Sequence, residues 1–348
     1  AMGELTAQAP LPVAVIGANG YLGRACVAEA RRRGLAVIAV ARGKPDPDWD
    51  TDASVTPLQL DTSVEGSGDA LSDALPERCA VVMAAGPMDG DPEALVTQTL
   101  QLVANGYTAT LEGQRRYVLV SSIAVYDTNG LSPGDRLDEQ SPLQSLPDTP
   151  VIDTPSILLH MRDPYSGAKR ASENALLSRT QADPHANTDV WILRPGAIWG
   201  PGRTWHALQG FWASKLHVTI GSQGELPLAH VDTVARVAID AALTPTDTVQ
   251  IVNVVDDDRP TRARFLTVHR KHHGWPMLNV TVPFGVWLRL VRLLKPLAHR
   301  LPGLFREPVL RARMMPLTFP NAAQRQAFGQ SQNETFEAAM ARTREAET

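Results

Sequence analysis

Two cysteines, Cys26 and Cys79, are all that the chain carries in 348 residues, and their spacing suits neither a disulfide framework nor a metal cluster. They read as small buried thiols of a reducing compartment. No apolar run reaches about 18 residues without a charge, so no membrane-crossing helix is predicted. Residues 1–12 lack the charged start and apolar run of a secretory signal; they read as a disordered tail, with Ala1-Met2 a leftover of cloning. The net charge of −4 shows no basic excess, which argues against a nucleic-acid partner. These absences leave a cytoplasmic enzyme as the expectation. The length allows one large α/β domain with a smaller lobe.

What is present is a rhythm. Residues 13–17 form a short apolar run ending in glycine, 21–33 read as a helix stopping at Gly34, and 35–41 are a second apolar run, together a right-handed βαβ unit. Further strands are predicted at 55–60, 80–84, 117–121, 190–193 and 249–254, and helices at 69–75, 92–111, 164–179 and 231–243. Continuous apolar strands alternating with helices imply a parallel sheet covered on both faces. The expected fold is a Rossmann-type, doubly wound α/β domain over 13–195 that also receives 231–256. A smaller, mostly helical C-terminal lobe, from 196–230 and 257–348, is expected to bind substrate. The Pro-, Ser- and Asp-rich stretch 127–162 reads as a long excursion, and no internal repeat is visible.

Gly17-Ala-Asn19-Gly20-Tyr21-Leu22-Gly23 sits at the junction of the first strand and helix. There glycines allow a tight turn and close approach to a pyrophosphate that the helix N-terminus attracts. NAD-preferring sites place an acid at the end of the second strand. Here that strand ends Val40-Ala41-Arg42-Gly43-Lys44, with no acid before Asp46. The planar fork of Arg42 can pair with a 2′-phosphate, with Lys44 as a helper, so NADP is predicted over NAD; a solvated loop arginine is the plainer alternative. Tyr165 and Lys169 are one helical turn apart, so the ammonium is expected to favour the ionised phenol and tune it for proton transfer. A surface pair on a wet helix would show the same spacing.

With these residues in view, the chain resembles the extended short-chain dehydrogenase/reductase family, also called the NAD-dependent epimerase/dehydratase family, from about Val13 to the end. Its pattern is nearest the reductase and hydroxysteroid-dehydrogenase-like members. Gly17, Gly20 and Gly23 have that family's spacing. Leu60-Asp61-Thr62 is similar to its adenine-contacting segment, and Ala84-Ala85-Gly86 to its cofactor-lining fourth-strand end. Val120-Ser-Ser122-Ile-Ala-Val-Tyr126 resembles the fifth-strand motif, which makes Ser122 the catalytic hydroxyl. Arg194-Pro195-Gly196-Ala-Ile198-Trp199-Gly200 resembles the segment bordering nicotinamide and substrate, and His230-Val-Asp232 a later marker. The resemblance implies that Tyr165 exchanges a proton with the substrate oxygen, that Ser122 fixes that oxygen, and that Lys169 lowers the tyrosine's pKa and holds the nicotinamide ribose. NADPH would supply the hydride. Met88, Ser122, Trp199, Arg203 and Trp205 are expected to face a small-molecule substrate. A homodimer through the 92–111 and 164–179 helices is implied. One departure matters: no arginine precedes His230 in Gly221–Ala229, where many sugar-nucleotide relatives carry one for a diphosphate.

Three weaker signals remain. Trp199, Trp205, Phe211 and Trp212 either stack on substrate or fill a core. His269, His272 and His273 have helical spacing, yet the intervening Arg270 and Lys271 suggest a solvated basic face, and no metal site is expected. The amphipathic basic stretch 286–295 packs on its own lobe, lids a lipophilic pocket, or touches a membrane surface. The leading reading is an NADP-dependent ketone or aldehyde reductase. The alternatives are a nucleotide-sugar epimerase or dehydratase, and a sensor that binds NADP without catalysis.

Overall fold

The computed structural model describes residues 9–148, 155–329 and 333–348. The first eight residues of the expected tail, and 149–154 of the excursion, lie outside the described residues. The tail is shorter than expected: Leu11 packs on the core and the Pro12 carbonyl accepts from Ala80 N at 2.9 Å.

The first half of the chain alternates as its periodicity predicts: β1 (Val13–Ile16), α1 (Tyr21–Arg32), β2 (Val37–Ala41), β3 (Val55–Gln59), α2 (Ser67–Ala74), β4 (Arg78–Met83), α3 (Pro92–Thr108), β5 (Gln114–Val120), α4 (Pro164–Ala182) and β6 (Val190–Pro195). Then come β7 (Ala197–Trp199), β8 (Gly210–Ala213), β9 (Leu216–Ile220), β10 (Leu228–His230), α5 (Val231–Leu243) and β11 (Gln250–Val254). The chain ends with α6 (Arg262–His273), β12 (Leu278–Val282), α7 (Phe284–Leu293), α8 (Glu307–Met314), α9 (Ala322–Phe328) and α10 (Phe336–Ala346).

Seven strands pair in the order β11-β6-β5-β4-β1-β2-β3, all parallel, with Val13 opposite both Val37 and Ala80. Every residue of β1 and β2 is buried. Alternate side chains feed two separate cores: Val13 and Val15 meet α1 and α5, whereas Ala14 and Ile16 meet α2, α3 and α4. Strand order reverses between β1 and β4, which opens a crevice at the carboxyl ends of the strands. Capping sets where the helices start. Asp91 accepts from Ala94 N and Asp163 from Ser166 N, each followed by a proline at the first helical position.

The small lobe mixes helices with two small sheets, β12-β9-β8 and β10-β7. Sequence periodicity does not reveal these strands, which are five residues or fewer and, apart from the three-residue β10, lack uniform burial. Nor does the whole C-terminal stretch stay in that lobe: α9 returns to the main sheet, where the Phe328 ring packs at a tilt on Trp191, centroids 4.8 Å apart. Helix α7 buries Phe284, Trp287 and Val291 against Leu304, Val309 and Leu310, so the 286–295 stretch packs on its own lobe along one face. Val286, Leu290 and Leu293 remain exposed on another face. His269 corrects the solvated-face reading. It is fully buried, edge-on to Trp205 and Trp275, with Nε2 beside the Thr204 hydroxyl at 3.1 Å.

One ion pair ties the two halves of the main domain. Arg194 on β6 donates from Nε and Nη2 to the Glu173 carboxylate on α4, at 3.0 and 2.5 Å, with both side chains essentially inaccessible. Its Nη1 donates to Tyr126 Oη at 2.9 Å, and that hydroxyl donates to Asn253 Oδ1 on β11 at 2.7 Å. Removing one member leaves a buried charge alone. Arg194→Met should therefore lower unfolding free energy by about 3–5 kcal/mol in urea titrations, and the double change Glu173→Met/Arg194→Met should recover most of that loss.

Candidate cofactor and active site

A cleft of about 1250 Å³ opens over the carboxyl ends of β1, β2, β4, β5 and β6 and extends to the small lobe. It exceeds the roughly 300–1,000 Å³ of pockets for one small ligand, which leaves room for a dinucleotide and a second molecule.

Its floor is the turn after β1. Gly17 has φ +83°, and a Cβ there would stand 2.7 Å from the Ala85 Cα, so the turn and the end of β4 touch backbone to backbone. A Cβ on Gly23 would stand 1.9 Å from Gly17 O. Gly23 therefore packs α1 onto the turn and does not itself line the cleft, unlike Gly17, Asn19, Gly20, Tyr21 and Leu22. The N-terminus of α1 has no side-chain cap and no acid in its first turn, so its amides are free to meet an anion.

At the end of β2, Arg42 lines the cleft, is exposed, and makes no ion pair among the described residues. Lys44 is not part of the wall; its carbonyl accepts from Asn19 Nδ2 at 2.9 Å. Asp46, the nearest acid along the chain, is engaged by Arg24 and caps the following turn. Asp61 and Thr62 line the next wall. Asp61 accepts from Ser63 N and Oγ, and the buried Thr62 hydroxyl has no partner among the described residues. Ala84, Ala85, Gly86 and Met88 follow, then Pro195, Gly196 and Ile198. Ser121 lines the same space, and its buried hydroxyl has no partner among the described residues. An uncapped helix start and two orphaned buried hydroxyls around one glycine turn fit a pyridine dinucleotide.

Ser122, Tyr165 and Lys169 meet on one wall of this cleft. Ser122 lies two residues after β5 and accepts from Ala124 N at 3.1 Å, which holds its hydroxyl at the start of a turn. Tyr165 and Lys169 share a face of α4, the ammonium 5.7 Å from the centre of the phenol ring. The expectation that Lys169 lowers the phenol's pKa is corrected in this state. Burial pushes Tyr165 above the ordinary tyrosine value, the Ser122 hydroxyl beside it pulls the other way, and Asp163 adds to the rise. Lys169 is aimed elsewhere. Its Nζ donates to Val120 O at 3.3 Å and occupies the space that a Cβ on Gly86 would crowd, at 3.3 Å. Burial pushes this ammonium down to about 8, opposed by the Glu173 carboxylate one turn on.

Among the residues expected at the substrate, Met88, Ser122 and Arg203 line the cleft and two do not. Trp199 is fully buried and donates from Nε1 to Asp256 Oδ2 at 2.8 Å. Trp205 sits in an aromatic cluster with Trp212, Phe265 and Trp275. Trp199 is core, because the short strand pairing of β7 with β10 turns it inward, and the partly buried Trp205 packs against the same core. Phe211 likewise packs on Trp287. Arg203 lies over the Tyr21 ring at 4.5 Å and so joins the small lobe to the glycine turn. The sequence reading passed over Arg162, Glu225, Arg262, Arg313 and Phe319, which also line the cleft. Only Arg162 lies near a motif; the others come from loops and late helices that carry no recognisable pattern.

A doubly wound sheet with a glycine turn at its switch point defines the class of dinucleotide-binding α/β enzymes. A sequence profile described as the NAD dependent epimerase/dehydratase family matches residues 13–254, and the chain belongs to that family. No curated protein matches by sequence. Solved structures do resemble it across nearly their whole length. The UDP-Glc/GlcNAc 4-epimerase of Campylobacter jejuni is 14% identical, with a TM-score of 0.69 over 97% of this chain and 99% of that one. The UDP-glucose 4-epimerase of Thermus thermophilus, in complex with NAD, is 17% identical, with a TM-score of 0.65 over 96% and 98%. MoeE5 in complex with UDP-glucose and NAD is 18% identical, with a TM-score of 0.64 over 96% and 97%. At these identities the likeness is one of fold.

The Lys169 value carries a pH signature. Burial moves the ammonium from 10.5 in the free residue down to about 8 in the folded protein. Between those values the unfolded chain holds the extra proton, so this group's contribution to stability rises with pH, and below about pH 8 the full cost of burying the ammonium is present. Lys169→Met should raise the urea midpoint at pH 7, and its advantage over wild type should shrink steadily toward pH 10.

Proposed function

We propose that the chain is an NADP-dependent oxidoreductase that reduces a ketone or aldehyde of a small organic substrate, or oxidises the matching alcohol. The observation that carries this reading is the meeting of Ser122, Tyr165 and Lys169 on the wall of a cleft whose floor is the glycine turn. Arg42, exposed on that cleft and without an ion pair among the described residues, supports NADP over NAD, as does the engagement of Asp46 by Arg24. Gly17, Asn19, Gly20, Tyr21, Leu22, Asp61, Thr62, Ala84, Ala85, Gly86, Pro195, Gly196 and Ile198 hold the cofactor, with Gly23 as its packing support. The segments 196–230 and 257–348, apart from the returning α9, supply the substrate wall.

When bound, the cofactor supplies the hydride. Ser122 holds the reacting oxygen by a hydrogen bond and keeps it within reach of Tyr165. Tyr165 Oη gives its proton to that oxygen in reduction and takes one in oxidation, and its raised pKa in the free protein keeps it protonated and ready to donate. Lys169, held on Val120 O, is placed to bind the nicotinamide ribose, and its depressed pKa lets it relay a proton near neutrality. A homodimer through α3 and α4, in the cytoplasm, completes the proposal.

A second reading, a nucleotide-sugar epimerase or dehydratase, is favoured by the names of the structural neighbours. In that case the hydride returns to the substrate. Net NADPH oxidation with a panel of ketones and aldehydes supports the reductase; binding of a nucleoside diphosphate sugar with no net absorbance change supports the epimerase.

Tyr165→Phe should cut turnover by about 10²–10⁴-fold while leaving NADPH affinity within a small factor of wild type. Rates near wild type would remove Tyr165 from the proton-transfer role. Arg42→Ala should weaken NADPH by about ten- to a hundredfold and leave NADH nearly unchanged in fluorescence titrations. Equal losses for both cofactors would remove Arg42 from the phosphate.

A further inference from the structure

Residues 259–306 carry ten Lys and Arg and no Asp or Glu, in a chain whose net charge is −4. Early in this stretch the charge is answered from elsewhere: Arg259 pairs with Glu225, and Arg264 with Asp258 and Glu337. Later it is not. Arg289, Arg292, Lys295, Arg300 and Arg306 are all exposed, and among the described residues only Arg292 has an ion pair, with a Glu307 that it shares with Arg311.

The same segment leaves apolar surface uncovered. Phe284, Trp287 and Val291 fill the lobe's core from one face of α7. Val286, Leu290 and Leu293 follow one another at spacings of four and three, which sets them together on a second face. Arg289 borders that face, three residues after Val286 and four before Leu293. Leu297 continues the exposure in the 3₁₀ turns Lys295–Arg300, where no residue is buried. Leu293 is 77% exposed and Val286 53%, so these side chains project and do not line a groove, and residues 284–306 form no part of the cofactor cleft. A helix held by its inner face, with apolar side chains outermost and cations beside them, has the pattern of one that lies in a membrane interface.

We propose that the outer face of α7 and the turns after it dock the protein on a lipid bilayer bearing anionic headgroups. Val286, Leu290, Leu293 and Leu297 enter the acyl boundary, and Arg289, Lys295 and Arg300 meet the headgroup phosphates. The contact is peripheral, as no helix among the described residues is long and apolar enough to cross a membrane. Charge selects this occupant. A second copy would set one cationic face against another, and a nucleic acid would answer the arginines but leave the leucines in water. Helix α8, whose Val309 and Leu310 pack with the inner face of α7, leads to Ala312, Arg313 and Met315 on the cleft wall. Docking therefore holds the small-lobe side of the cleft one helix away from lipid, whatever reaction the cleft performs.

The test is sedimentation of the whole protein with vesicles of phosphatidylcholine alone, and with vesicles of equal parts phosphatidylcholine and phosphatidylglycerol. The anionic vesicles should bind it at least about tenfold more tightly at low salt, and most of that advantage should vanish at about 0.5 M salt. Leu293→Glu should weaken binding to them at least about tenfold, and Arg289→Glu at least about fivefold. Both positions are exposed, so neither change touches the core. Leu243→Glu, at an exposed leucine ending α5, should bind as wild type does. No binding to the anionic vesicles, equal binding to both kinds, or unchanged binding in Leu293→Glu and Arg289→Glu overturns the proposal. So does a dimer mass in sedimentation equilibrium without lipid that falls to a monomer in Leu293→Glu, which would give this face to a second copy.

Discussion

The ion pair between Glu173 and Arg194 is the interaction on which the active-site wall depends. Two charges essentially removed from water gain nothing from solvent, so each is tolerable only while the other, and the surrounding hydrogen bonds, stay in place. That requirement fixes α4 against β6 in one register. Tyr126, on the turn that follows Ser122, enters the same network, as does Asn253 on β11, whose amide donates to Glu139 Oε1 of the excursion at 2.8 Å. Helix α4, the turn after β5 and the edge strand are thus locked by one buried polar chain. Lys169 lies one turn before Glu173 on α4, and its ammonium feels that carboxylate.

The site combines groups whose charged forms burial disfavours. Tyr165 is held above its ordinary range and Lys169 below it. Both therefore lie closer to their neutral forms than the free side chains do, which is the starting point for a group that must donate a proton and then recover it. A cationic nicotinamide beside the phenol acts in the opposite sense to burial. In the cofactor-free protein the phenol is tuned by burial, Ser122 and Asp163 and not by the lysine one turn on.

Much of this was legible in the chain. Periodicity located every strand of the seven-stranded sheet to within a few residues, because fully buried parallel strands read as continuous apolar runs, as β1 and β2 do. The glycine turn, Arg42 and the Tyr165–Lys169 spacing were readable from local geometry and residue chemistry, whereas Ser122 was readable only through the family resemblance. The small lobe was not. Its strands are too short for a period, and the fates of Trp199, Trp205 and His269 are set by partners distant in sequence: Asp256, Trp275 and Thr204. The cleft-lining Arg262 and Arg313 meet only through a helix-to-helix contact, so no spacing could have paired them.

The central claim is that this buried tyrosine becomes a proton-transfer group when the cofactor is in place. Titration of the Tyr165 phenol by ¹³C NMR of Cζ-labelled tyrosine, assigned with Tyr165→Phe among the five tyrosines, tests it directly. The phenol should titrate above the ordinary tyrosine range in the cofactor-free protein and fall well below that starting point once NADP⁺ is bound. A phenol with an ordinary pKa that does not respond to NADP⁺ would contradict the account.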